Sequence, residues 1–305
     1  MLKKLLKILS IIVVLIVLGG GGYAYYLYHS AKEAADKMHQ NIPFDNGRDQ
    51  SDKTKKSEPI SILLMGVDER KNDRGRSDTL IVMTLNPQKE KMQMVSIPRD
   101  TRTKIVGKGT MDKINHAYAF GGTKMAINTV EQFTGIPIDY FIRINMEALS
   151  GLVDAVGGIT VDNHLDWYDE GYYKKGYHYK KGKIELDGPK ALGYVRMRHL
   201  DPNGDFGRNQ RERQVITAIL HKATSISSVT HYQDILNTLG NNVKTNLTFQ
   251  DMMNIRANYR SCLSNVENYE IKGTGQKING IYYLIVPDEE KAKVTHMLKE
   301  NLQSE

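Results

Sequence analysis

The chain carries a single cysteine, Cys262, so no disulfide can form within it. Its setting, Arg-Ser-Cys-Leu-Ser-Asn, is polar rather than the basic, partly exposed environment that makes a thiol reactive. None of the nine histidines forms a His-x-x-x-His pair, which removes the usual helical zinc-hydrolase motif. No Gly-x-Ser-x-Gly elbow is present, which argues against a serine hydrolase. There is no internal repeat and no low-complexity tract. Charge is missing altogether between Ile8 and Tyr28. Twenty-one residues at ~1.5 Å rise reach ~30 Å, the thickness of a hydrocarbon core.

That uncharged run predicts a transmembrane anchor over 8–28. Lys3, Lys4 and Lys7 precede it and keep residues 1–7 in the cytoplasm, while Tyr23, Tyr25, Tyr26 and Tyr28 suit the outer interface. A cleaved signal peptide is the alternative, but no small-x-small cleavage site follows. Either way the rest of the chain lies outside the cytoplasm. The expected topology is a single-pass, type II protein of the cell membrane. Residues 29–59 are polar and charge-mixed and read as a linker. Residues 60–305 form the expected extracytoplasmic domain. The net charge of +7 favours anionic partners. The extracytoplasmic address leaves nucleic acid out of consideration.

Ile60–Val67, Thr79–Leu85 and Lys91–Ile97 are short apolar runs that predict buried strands. Further strands are expected at Tyr140–Ile144, Ile159–Val161, Glu267–Ile271 and Ile281–Val286. Helical spacing appears at Thr123–Phe133, Met146–Val156, from Asp187-Gly188-Pro189 onward, and at Gln210–Thr224, Tyr232–Leu239, Phe249–Tyr259 and Glu289–Leu302. The Tyr-, Gly- and Lys-rich stretch Trp167–Lys183 reads as irregular and exposed. Interleaved strands and helices predict an α/β layered fold with one mixed sheet.

Two constellations carry chemistry. The first is Asp68, Arg70, Arg76, Asp78, Arg99 and Asp100, at the ends of three neighbouring strands. A simple meander sets the Asp78 end of its strand beside the Asp68 end. Paired carboxylates among arginines suit a diphosphate held with Mg²⁺, and equally suit a surface salt-bridge network. The second is Arg196-Met197-Arg198-His199 with Gly204 to Gln214, where five arginines fall within eighteen residues. Extended backbone would point Arg196 and Arg198 the same way. Arg208 and Arg211 would be neighbours on a helix. His116 and His199, near these motifs, read as hydrogen-bonding neighbours.

The motifs Leu64-Met65-Gly66-Val67-Asp68-Glu69-Arg70, Arg76-Ser77-Asp78-Thr79, Ser96-Ile97-Pro98-Arg99-Asp100-Thr101, Lys113-Ile114-Asn115-His116-Ala117 with Gly121-Gly122, Arg196-Met197-Arg198 and Gly204-Asp205-Phe206-Gly207-Arg208 resemble the LytR-CpsA-Psr family. The resemblance covers about residues 58–239. It implies a mixed central β-sheet flanked by helices, with an apolar pocket for a polyprenyl tail. The implied activity is transfer of an anionic glycopolymer, such as wall teichoic acid, from a polyprenyl diphosphate to peptidoglycan at the membrane. Asp68 and Asp78 then match the Mg²⁺ side. Arg76, Arg99, Arg196, Arg198 and Arg208 match the diphosphate-binding arginines, with Lys113 and Arg211 as further contacts. Asp78, Arg99 and Arg198 are the expected catalytic residues, and Asp78 or Asp100 the candidate proton acceptor. Glu212 departs from the Gln common in the family. A non-catalytic polymer-binding module and a diphosphate hydrolase are the rival readings.

Overall fold

Three strands, buried at nearly every position and mostly apolar, form the middle of this protein. The computed structural model describes residues 21–23, 25–42, 52–68, 75–225 and 232–303. Strands β1 (Ile60–Val67), β2 (Ser77–Asn86) and β3 (Lys91–Ser96) make an antiparallel meander. After the short hairpin of β4 (Arg102–Lys104) and β5 (Met111–Lys113) come helix α2 (His116–Thr134), β6 (Tyr140–Asn145) and α3 (Met146–Ala155). Then follow β7 (Ile159–Asn163), β8 (Trp167–Tyr168), β9 (His178–Tyr179), β10 (Gly182–Leu186), α4 (Gly188–Arg196) and α5 (Asp205–Ser225). The chain continues through α6 (Tyr232–Asn242), β11 (Val243–Thr245), α7 (Phe249–Asn258), β12 (Asn265–Glu270), β13 (Thr274–Ile278), β14 (Ile281–Ile285) and α8 (Asp288–Leu302). A helix over 25–38, α1, precedes them all.

The central sheet has the order β11-β6-β1-β2-β3-β12. β6 and β12 join it in parallel, to β1 and β3 respectively, and the other pairs are antiparallel. Each central strand serves two cores. Leu63, Met65 and Val67 pack with Ala126, Ile127 and Val130 of α2 and Val294 and Leu298 of α8. Ile60, Ile62 and Leu64 pack on the other face with Ile216 and Leu220 of α5 and Met252 of α7. Two buried faces explain why β1 is a continuous apolar run rather than an alternating one. The mixed sheet flanked by helices is the architecture expected from sequence.

Three readings need revision. First, α2 starts earlier than its periodicity suggests and is broken at Gly121-Gly122. Gly122 has φ 66° and ψ −155°, accessible in practice only to glycine. Second, the stretch after Trp167 is ordered: β8 pairs with β9, and Trp167 and Tyr179 stack at 4.7 Å between centroids in a core with Tyr194 and Met197. Tyrosines that look polar in sequence supply their rings to this core while their hydroxyls find partners, as Tyr179 does at Lys190 O (2.9 Å). Third, the described parts of the expected linker are packed. Ala35 and Met38 of α1 contact Val243, and buried Thr54 donates to Asp251. Lys53 meets Asp139 at 2.6 Å and neutralises an otherwise unpaired buried carboxylate. A few well-placed small side chains suffice to dock a segment that could not form a core by itself.

Residues 8–20, most of the expected anchor, lie outside the described residues, as do Glu69 and Arg70. Among the described residues no helix is long and apolar enough to cross a membrane.

Candidate functional site

The β1–β2 ladder positions the first carboxylate. Val67 pairs with Ser77 and Gly66 with Thr79, so Asp78 is the extra residue of a β-bulge. A bulge re-aims the side chain it carries. Asp78 is thereby freed to meet Arg99 Nη1 at 3.1 Å through Oδ2 and the Asn115 amide at 3.1 Å through Oδ1. Asp68 follows β1 directly, and its N–H donates to Arg76 O at 3.4 Å. The exit of β1 and the entry of β2 therefore lie side by side, as the meander requires.

Arg99 leaves β3 after Pro98 and is the meeting point of three carboxylates. Besides Asp78, its Nε lies 3.7 Å from Asp205 and 3.9 Å from Asp100. Burial opposes its charge, yet Asp78, Asp205 and Asp100 outweigh that, and the guanidinium is held above its ordinary pKa. Lys113, from β5, is fixed to Asp100 at 2.6 Å.

The α4–α5 connection supplies the opposite wall. Asp187 caps α4 by accepting from Lys190 N, an interaction of about 1 kcal/mol. Arg196 is in the last turn of α4, and Arg198 lies just past the cap, so the two are not residues of one extended strand. Arg198 Nε meets Asp205 Oδ1 at 3.0 Å, and Arg208 Nη1 meets the same oxygen at 3.4 Å. Arg208 Nη2 also reaches Asp78 O at 3.5 Å. Asp205 thus joins Arg99, Arg198 and Arg208. Arg76, which is exposed, and Arg196, which is half-buried, form no ion pair among the described residues.

Arg211 is not in this cluster. Its guanidinium donates to Tyr194 O (3.0 Å), to Met197 O and to Asp201, and lies over the Trp167 ring at 5.6 Å. The pairing with Arg208 expected from their spacing does not form, because the two side chains take different partners. Arg211 instead fastens the aromatic core to the segment that presents Arg198.

Beneath the arginines lies Glu212. Its Oε1 is 3.6 Å from Arg208 Nε, and it is buried. Burial pushes its carboxyl up to about 7, against the downward pull of Arg208 and Thr79. Glu212 and Thr79 also line an apolar cavity of about 40 Å³ with Leu64, Met65, Gly66, Ile144, Leu149 and Ile216. Glu212, which lines this cavity and meets Arg208, links it to the charged cluster.

Sequence reasoning left Asp205 unassigned. Its signal was a carboxylate in the first turn of a helix that follows an arginine pair. Cys262, by contrast, is buried, and burial pushes its thiol up to about 11, which leaves it unreactive. His116 is held by Asp112 at 3.0 Å, while His199 is exposed.

No three His, Cys, Asp or Glu side chains converge on a metal position among the described residues. A complete cage is not required for Mg²⁺, which takes one or two carboxylates and fills its octahedron with phosphate and water. Asn115 Oδ1, beside Asp78, is buried without a hydrogen-bond donor among the described residues. Hard oxygen donors at Asp78, with one of them unsatisfied next to it, fit such an ion.

A family model described as the LytR_cpsA_psr family matches residues 25–300. The chain is 50% identical over 282 residues, 92% of its own length and 90% of the relative's, to the polyisoprenyl-teichoic acid–peptidoglycan teichoic acid transferase TagU of Bacillus subtilis. The crystal structure of B. subtilis TagU matches with a TM-score of 0.66 at 48% identity, covering 81% of this chain and 98% of that one. A structure of TagT bound to LIIa-WTA matches with a TM-score of 0.71 at 29% identity, covering 86% and 99%. On its motifs, its fold and these matches, the chain belongs to the LytR-CpsA-Psr family.

Proposed function

We propose that this chain is a single-pass, membrane-anchored phosphotransferase that moves an anionic glycopolymer of the wall teichoic acid kind from a polyprenyl-diphosphate carrier to peptidoglycan. One observation carries the reading. Arg99, Arg198 and Arg208 gather around Asp205, with Asp78 on the other side of Arg99, beside an apolar cavity. A phosphorylated lipid head needs both parts: planar cations for the phosphates and an apolar wall for the chain. The TagU relatives are named for the same transfer, of teichoic acid to peptidoglycan. In this reading residues 1–7 are cytoplasmic, 8–28 span the membrane, and 29–59 lead to a catalytic domain over 60–305 outside it.

Arg76, Arg196, Arg198 and Arg208 grip the diphosphate, and Lys113 holds Asp100 in place beside Arg99. Asp68 and Asp78 would hold Mg²⁺, which would neutralise part of the diphosphate charge. The 6-hydroxyl of a muramic acid residue attacks the polymer-side phosphorus. The bond from that phosphorus to the bridging oxygen breaks, and polyprenyl phosphate leaves with the electron pair. The hydroxyl proton passes to a carboxylate of the site. Arg99 and Arg198 stabilise the charge that builds on the leaving phosphate.

The test is a mass-spectrometric transfer assay with lipid-linked donor and peptidoglycan oligomer, with and without Mg²⁺. Loss of one such donor costs about 2.7–4 kcal/mol of barrier. Arg99→Ala is therefore expected to lower transfer by two to three orders of magnitude in a folded protein. Donor cleaved without a peptidoglycan adduct identifies a hydrolase, and donor bound without turnover identifies a binding module.

A further inference from the structure

Among the described residues outside the N-terminal helix, eight large apolar side chains are exposed, and four of them lie on or beside two hairpins: Met111 (47%), Phe120 (38%), Ile281 (50%) and Tyr282 (44%). β4 and β5 form the first, with Lys104 opposite Met111. β13 and β14 form the second, turning at Asn279-Gly280 with Ile281 and Tyr282 just past the tip. The hairpins touch. Thr101 bridges Leu284, and Tyr283 receives Arg102 at 5.8 Å and Lys113 at 5.9 Å over its ring. Phe120 joins them through His116, which holds Asp112 of β5, and carries Lys108 over its ring at 3.1 Å.

The charge here is one-sided. Lys104, Lys108 and Lys277 are exposed, and none has an ion-pair partner among the described residues. Two carboxylates beside the first hairpin are occupied, Asp100 by Lys113 and Asp112 by His116. Exposed aliphatic and aromatic tips rimmed by lysines are the composition of a surface that sits at the boundary of headgroups and acyl chains of an anionic bilayer. A glycan surface would present hydrogen-bonding side chains instead of Met111 and Ile281.

We infer that the β4–β5 and β13–β14 hairpins form a second membrane contact, with Ile281 and Tyr282 in the interface and Lys104, Lys108 and Lys277 on anionic phospholipid headgroups. The inference rests on the chain working at a bilayer, as proposed above. Lys113 links the first hairpin to Asp100 and Arg99, so this contact holds the diphosphate site against the surface from which a polyprenyl carrier is drawn.

The experiment uses the full chain reconstituted in phosphatidylglycerol or phosphatidylcholine vesicles with brominated acyl chains. The single native tryptophan, Trp167, is buried and gives a constant background. Tyr282→Trp is expected to shift to shorter wavelength and to be quenched in phosphatidylglycerol vesicles, and to be largely unquenched in phosphatidylcholine. Adding Lys104→Glu and Lys108→Glu abolishes the quenching. Tyr168→Trp, still more exposed on the β8–β9 pair, stays unquenched. Circular dichroism verifies the fold of each variant. An unquenched Tyr282→Trp in vesicles that have taken up the protein overturns the inference, as does equal quenching of Tyr168→Trp. A response of Tyr282→Trp to soluble peptidoglycan fragments but not to vesicles overturns it in favour of a wall-binding face. A chain that does not enter vesicles at all overturns the anchored reading and this inference with it.

Discussion

Asp205 Oδ1 lies 3.0 Å from Arg198 Nε and ties the start of α5 to the arginine that follows α4. The same carboxylate faces Arg99 and Arg208, so it sits among the guanidinium groups where a phosphate would find them. Without it three cations repel one another. Asp205→Ala is expected to lower kcat/KM for transfer about 10- to 100-fold, the usual cost of losing a group that orients the binding residues. The urea midpoint of the variant checks that the fold persists.

Arg211 is a structural cation. Arg211→Ala leaves Asp201, itself buried, and two backbone carbonyls without their donor. Breaking a buried pair in this way costs about 3–5 kcal/mol. Urea unfolding measures it. Arg211→Lys keeps the charge without the planar fork and restores only part of the stability. A loss of donor affinity at unchanged stability would instead make Arg211 a ligand of the diphosphate.

Glu212 gives stability a pH dependence with a definite sign. Its carboxyl titrates at about 7 in the folded chain, against an ordinary value of 4.5. Between those values the folded state binds the proton that the unfolded state has lost. Its contribution is therefore complete below about pH 4.5 and falls as pH rises towards 7, by on the order of 3 kcal/mol. Glu212→Gln removes this slope. Denaturation of both proteins across pH 4.5–7.5 is the measurement, and parallel curves would refute the assignment.

The apolar cavity is open to a steric test. Ile216→Trp fills it at a packing cost of about 1–3 kcal/mol. The expected result is a raised KM for lipid-linked donor, with binding of inorganic diphosphate unchanged by calorimetry. Equal losses for both ligands would separate the cavity from the lipid chain.

Chelation separates metal from fold. An ion held by one or two carboxylates and completed by substrate adds little to the free protein. EDTA is expected to abolish transfer while leaving the thermal midpoint of the donor-free protein in place. Mg²⁺ should raise that midpoint only when donor is present, which calorimetry detects.

The meander was legible because β1, β2 and β3 are buried on both faces, and such strands are continuous apolar runs. Asp187 before Gly-Pro likewise announced α4 by its capping chemistry. Other features depend on tertiary partners that no local pattern encodes. Arg208 and Arg211 have the spacing of helix neighbours, yet Asp205 and Glu212 claim one and Asp201 the other. The Trp167–Lys183 stretch has a polar composition, but its rings meet Tyr194 only once α4 has docked. Polarity there described the hydroxyls and lysines and concealed the rings. Asp205 escaped because two of the arginines around it, Arg99 and Arg198, come from other parts of the chain.

The bulge in β2 separates what the sheet needs from what the site needs. Removing residue 78 would let Ser77 follow the register of Thr79 without interruption, and every apolar side chain from Leu80 onward would keep its face. The shortened strand would be the more regular one, and the protein would have lost the carboxylate between Arg99 and Asn115. A search for variants that favours only a well-formed ladder would therefore discard the residue on which the proposed chemistry depends.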